Sequence, residues 1–71
     1  MRPRRIACHQ LMLEDHSQQT LSVLEIVCGE VTRWYPLSGE TAHTEFWPGT
    51  ILLRRDPDGK LRAWYEGKEI E

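Results

Sequence analysis

Seventy-one residues leave room for one domain and none for a second. With 39% hydrophobic and 28% charged residues the chain reads as globular, which excludes a disordered segment. A formal net charge of −2 excludes a general attraction to nucleic acid or to anionic membranes.

Residues 4–13 open the chain as an extended run. Basic residues precede the apolar stretch 6–13, yet His9 and Gln10 interrupt it, and Glu14, Asp15 and His16 stand where a leader would carry small residues. A secretory signal is therefore not expected. No segment approaches the length of a bilayer-spanning helix. Two cysteines, Cys8 and Cys28, are too few for a disulfide framework, so a cytoplasmic protein with reduced, buried thiols is expected.

A polar stretch, residues 14–20, leads to a second run over 21–28. Leu13, Ser17, Leu21 and Leu24 have a loose helical spacing, but Ser22-Val23 and Ile26-Val27 favour strand and no clean cap appears. Gly29-Glu30 suits a two-residue hairpin loop into residues 31–35. That register places Cys28, Ile26 and Leu24 on the face of Val31, Arg33 and Tyr35, and Val27, Glu25 and Thr32 on the side of Trp34. Residues 36–49 read as a long loop.

The run 50–55 turns at Asp56-Pro57-Asp58-Gly59 into residues 60–65. Proline presets φ at the second turn position, Asp58 suits the third, and Gly59 takes the left-handed conformation of a bulge. This geometry pairs Arg55 with Leu61, Leu53 with Ala63 and Ile51 with Tyr65 on a core face. Arg54 with Arg62 and Leu52 with Trp64 share the other. The tail adds a turn and a short edge strand. Successive hairpins without crossover helices predict a single all-β domain over residues 1–71, a small antiparallel meander or partly open barrel of five to six short strands.

Chemistry-bearing constellations are sparse. Cys8, His9, His16, Cys28 and His43 lack the paired spacing of zinc ligands, so neither a metal nor another cofactor is expected. His43-Thr44-Glu45 near Ser38 reads as polar loop, and no enzyme is expected. Arg54, Arg55, Lys60, Arg62 and Trp64 together suggest a basic patch beside an aromatic platform, suited to nucleic acid or another anionic ligand, unless acidic residues such as Glu45 or the C-terminal tail neutralise it. Trp34, Tyr35, Phe46, Trp47, Trp64 and Tyr65 are many rings for a thin core, and any left exposed would mark a binding surface.

Residues 24–40, a strand, a tight turn and a second strand, resemble the β hairpin that opens many metal-dependent amidohydrolases. Trp47-Pro48-Gly49-Thr50-Ile51 is similar to the Pro-Gly before their first catalytic strand. Where that family presents a His-x-His metal motif, this chain reads Leu52-Leu53-Arg54-Arg55, so the resemblance implies no activity. The whole chain also resembles short, uncharacterised bacterial all-β proteins with a Trp-Pro-Gly segment. The functional expectation is a non-enzymatic module that binds a protein partner or a second copy of itself through an edge strand and exposed aromatics, with an anionic ligand at the basic patch as the alternative.

Overall fold

Alternating apolar and polar side chains with β-branched residues between turn signals lay this chain out as strands. The computed structural model describes residues 3–39 and 44–71, which form β1 (Arg4–Met12), β2 (Gln18–Val27), β3 (Glu30–Pro36), β4 (Thr44–Arg55), β5 (Leu61–Tyr65) and β6 (Lys68–Ile70). There is no helix among the described residues, the stretch 11–26 included. All six strands join one sheet in the order β3-β2-β1-β4-β5-β6, curled into an open half-barrel.

Neighbouring strands run antiparallel except at the centre, where β4 lies parallel to β1. The sheet is thus mixed, two three-stranded meanders set side by side. Because β1, β3 and β4 point the same way, the chain between β3 and β4 is a crossover past β2 and β1 rather than a hairpin. It includes residues 40–43, outside the described residues.

The concave face holds the core. Ile6, Cys8 and Leu11 of β1, Leu24 of β2 and Ile51 of β4 are wholly buried, and Leu53, Ala63 and Ile70 extend the cluster to the far edge. The convex face carries two apolar rows, one in which Ala7 and Val23 are buried between Tyr35 and Phe46, and a half-buried one of Met12, Leu52 and Trp64. β1 is therefore covered on both faces over residues 6–8.

The β4–β5 hairpin has the expected register, Ile51 opposite Tyr65 through Arg55 opposite Leu61. Asp56 organises its turn: one carboxylate oxygen accepts the N–H groups of Asp58 and Lys60, and its carbonyl accepts that of Gly59. The β2–β3 hairpin departs from expectation by one residue. Its loop is Cys28-Gly29, both at positive φ, with Val27 opposite Glu30 and a bulge at Thr32 that brings Glu25 opposite Arg33 and Leu24 opposite Trp34. A primed turn of this kind requires φ > 0 at both central positions and places the glycine second. Trp34 consequently shares the concave face with Leu24, while Glu25 joins Arg33 and Tyr35 outside.

The expected loop over 36–49 is in part strand, since β4 starts at Thr44. Pro48-Gly49 does not end the strand but bulges it, so Trp47 pairs with Cys8 and Thr50 with Gln10. Gly49, at φ 107°, permits the bulge, which re-aims its N–H to donate to His9 Nδ1 at 3.1 Å. Proline is tolerated there because a bulge asks less of the ladder.

Gly59 tests the turn chemistry. Its φ is +82° and a Cβ there would meet nothing within 4 Å, so only backbone strain opposes substitution. Gly59→Val is expected to lower stability by more than about 1 kcal/mol and Gly59→Asn by less, because asparagine tolerates the left-handed region. Chemical denaturation of the two variants checks it; equal stabilities would show that φ at this residue does not matter.

Candidate interaction surface

Two surfaces emerge, the outer edge of β3 and the hairpin face carrying the arginines. On the edge, Leu37 N–H donates to Leu21 C=O at 2.7 Å. In an antiparallel ladder this alternation turns the N–H and C=O groups of Arg33 and Tyr35 towards β2 and the N–H and C=O of Trp34 and the C=O of Pro36 outwards, up to the bulge at Thr32, where the alternation breaks. β3 ends the sheet order, so among the described residues no strand pairs with its outer side. β5 packs against β3 across the half-barrel, and the Arg62 guanidinium lies against Gly29 of the loop before β3, where a Cβ would fall 2.7 Å from Nη1.

Trp34 is 41% exposed on the concave side of this edge. With Leu13, Glu14, Asp15 and Leu53 it lines an open groove of about 270 Å³. A second groove of about 480 Å³ shares Leu13, Glu14 and Leu53 and continues past Met12 and Leu52 to Arg54. Leu21 and Phe46 are the other large apolar side chains left exposed. Phe46 is occupied by His9, their rings edge to face with centroids 5.0 Å apart.

Behind the edge, on the convex face, Glu25 is almost fully buried and its Oε2 accepts three donors: the Tyr35 hydroxyl at 2.8 Å, Arg33 Nη2 at 3.2 Å and Arg5 Nε at 3.4 Å. Arg33 also lies 5.0 Å over the Tyr35 ring. The Tyr35 hydroxyl, opposed by burial, and then the guanidinium of Arg33 and that of Arg5, hold the Glu25 carboxyl below the usual carboxylate range. Burial first, then its bond to Glu25, pushes the Tyr35 hydroxyl up.

The five residues of the expected basic patch are brought to one hairpin, but with carboxylates among them. Arg62 Nε donates to Asp56 Oδ2 at 2.9 Å, and both side chains are only 20% exposed. Arg55 is held by Glu14 at 3.0 Å and by the Gly59 carbonyl at 2.8 Å. Arg54 and Lys60 are exposed, and Trp64 is half-buried beside Arg54, Arg62 and Glu69 in a shallow depression. Glu45 does not neutralise the patch; it accepts both Arg4 and the Trp47 indole.

Of the other candidates, Cys8 is buried, with its thiol pKa raised by that burial, whereas Cys28 is exposed in the hairpin loop rather than buried as expected. His43 lies outside the described residues, and Thr44 and Glu45 stand in β4. Among the described residues no three His, Cys, Asp or Glu side chains cluster as a metal would require. The chain was compared with models of protein families, with curated proteins and with solved structures, and none of the three comparisons gives a match.

Glu25 yields a pH prediction. A carboxyl whose pKa is lower folded than unfolded stabilises the fold above its unfolded value, and the contribution is lost as pH falls through the folded value. At neutral pH Glu25→Gln is expected to cost about 1–3 kcal/mol, and the gap to wild type should close below about pH 4. Denaturant titrations of both proteins at several pH values measure it. A gap independent of pH would mean that the ionised carboxylate is not what holds Arg33 and Tyr35.

Proposed function

We propose that this chain is a non-enzymatic interaction module that takes a protein strand, from a partner or from a second copy, along the outer edge of β3. The observation that carries this reading is the coincidence of outward backbone groups at Trp34 and Pro36 with a large exposed ring, Trp34, beside an apolar groove. Strand addition uses those two components together: main-chain hydrogen bonds supply affinity, and pockets for alternate side chains supply specificity. An indole at the rim adds area at little cost in conformational freedom. The compartment that goes with this reading is the cytoplasm, from the cysteine count alone.

The anionic-ligand reading draws on Arg54, Lys60 and Trp64. It is the weaker, because Arg62 and Arg55 already spend their charge on Asp56 and Glu14. A phosphate approaching Arg62 would compete with a bound carboxylate that is itself stabilised by three donors.

Nuclear magnetic resonance on isotope-labelled protein inside its own cells separates the two readings. Strand addition should broaden the Trp34 indole and the Trp34 amide while leaving the Trp64 indole sharp. Broadening at Arg54 and Trp64 instead would move the function to the arginine face. Unchanged signals at both surfaces would remove the interaction-module reading.

A further inference from the structure

The geometry points to a second copy of this chain as the occupant of the β3 edge, paired antiparallel about a two-fold axis at Trp34. This step rests on the interaction-module reading and names its partner. A two-fold axis perpendicular to the sheet keeps each face on its own side, so any residue on the axis meets itself. With Trp34 on the axis, its N–H donates to the Trp34 carbonyl of the second copy and the reverse bond forms by symmetry. The pairing stops on either side of this bonded pair, because the bulge breaks the alternation at Thr32 and Pro36 has no N–H to donate.

Side chains select the same register. On the convex face it sets Arg33 of one copy opposite Tyr35 of the other, so each Tyr35 ring, already covered by its own Arg33 at 5.0 Å, meets a second guanidinium from across the axis. Moving the axis to Arg33 would oppose two like charges directly. Moving it to Tyr35 would set the Trp34 carbonyl against Pro36 and carry the missing bond into the middle. On the concave face the two Trp34 rings meet at the axis and extend the groove beside Leu13 and Leu53.

The size of the contact sets its strength. So short an edge and one indole from each copy fall below the roughly 1,200–2,000 Å² of a standard interface, which places this dimer among weak and rapidly exchanging ones. Its dissociation constant is expected on the order of 100 µM.

Sedimentation equilibrium from about 10 µM to about 1 mM tests it on wild type and Trp34→Lys, the lysine setting two ammonium groups against each other on the axis. Wild type should shift from the 8.4 kDa chain towards twice that mass, and Trp34→Lys should weaken the association more than about tenfold. A single 8.4 kDa species throughout would overturn the second copy as partner and leave strand capture to be decided by the in-cell spectra. A dimer that survives Trp34→Lys would overturn this edge and axis. Should Trp34→Lys fail to fold, amide exchange on wild type decides. Protection that rises with concentration at the Trp34 amide supports the pairing, and protection rising elsewhere alone overturns it.

Discussion

The parallel pairing of β1 with β4 joins what would otherwise be two separate three-stranded meanders. Either meander alone presents one apolar face and too little area to hide it, and sheets of this size need a second layer or a closing neighbour. Side by side, they curl so that Ile6 and Leu11 of β1 face Ile51 and Leu53 of β4 across a common concavity. Arg4 reinforces the junction. Its guanidinium donates to both oxygens of Glu45, donates to the Glu71 carbonyl and lies 5.3 Å over the Trp47 ring. Arg4 and Glu45 are each about two-fifths exposed, so solvent screens the pair and holds it near or below about 1 kcal/mol. Burial of the β1 and β4 side chains is what keeps the halves together.

From that curl follows the uneven treatment of the two outer strands. β6 has three residues and buries Ile70 against the core, so little edge remains on that side. β3 has seven, and no strand pairs with its outer side among the described residues, although β5 packs against it across the half-barrel. The remaining edge is shortened by the Thr32 bulge at one end and Pro36 at the other. Both features discourage open-ended sheet growth. They leave a stretch centred on Trp34, long enough for one strand and too short to template a fibre.

How much of this was legible in the sequence depended on how far apart in the chain the deciding residues lie. The Asp56–Gly59 turn contains its own geometry, and the register of β4 with β5 followed from it. Five to six strands, the core face of that hairpin and the edge strand in the tail were readable for the same local reason. The β1–β4 pairing joins residues about forty apart, and periodicity within a run cannot report it. Pro48-Gly49 carried a turn signal that the fold uses as a bulge, because the parallel partner continues on both sides of it. In the β2–β3 hairpin the bulge at Thr32, which no local residue signals, parts Glu25 and Trp34 onto opposite faces, so both the buried carboxylate and the edge indole were missed together. Arg54 and Arg62 were placed correctly on one face, but the pairing of Arg62 with Asp56 from the adjoining turn and of Arg55 with Glu14 from the β1–β2 connection was not visible from spacing.

That bulge also decides how the edge is held ready. A strand that accepts another strand must already be extended, since ordering it on contact would consume the small free energy that so few hydrogen bonds provide. In this sheet the ordering is done in advance by Glu25. Its single Oε2 gathers donors from β1 and from two positions on β3, and the cost of burying the charge is offset because all three partners are themselves polar and partly hydrated. Arg33 and Tyr35 are fixed from behind, and Trp34 between them is fixed with them, although its ring faces the opposite side. The carboxylate thus lies behind the edge and holds the side chains of Arg33 and Tyr35, the two residues that flank Trp34.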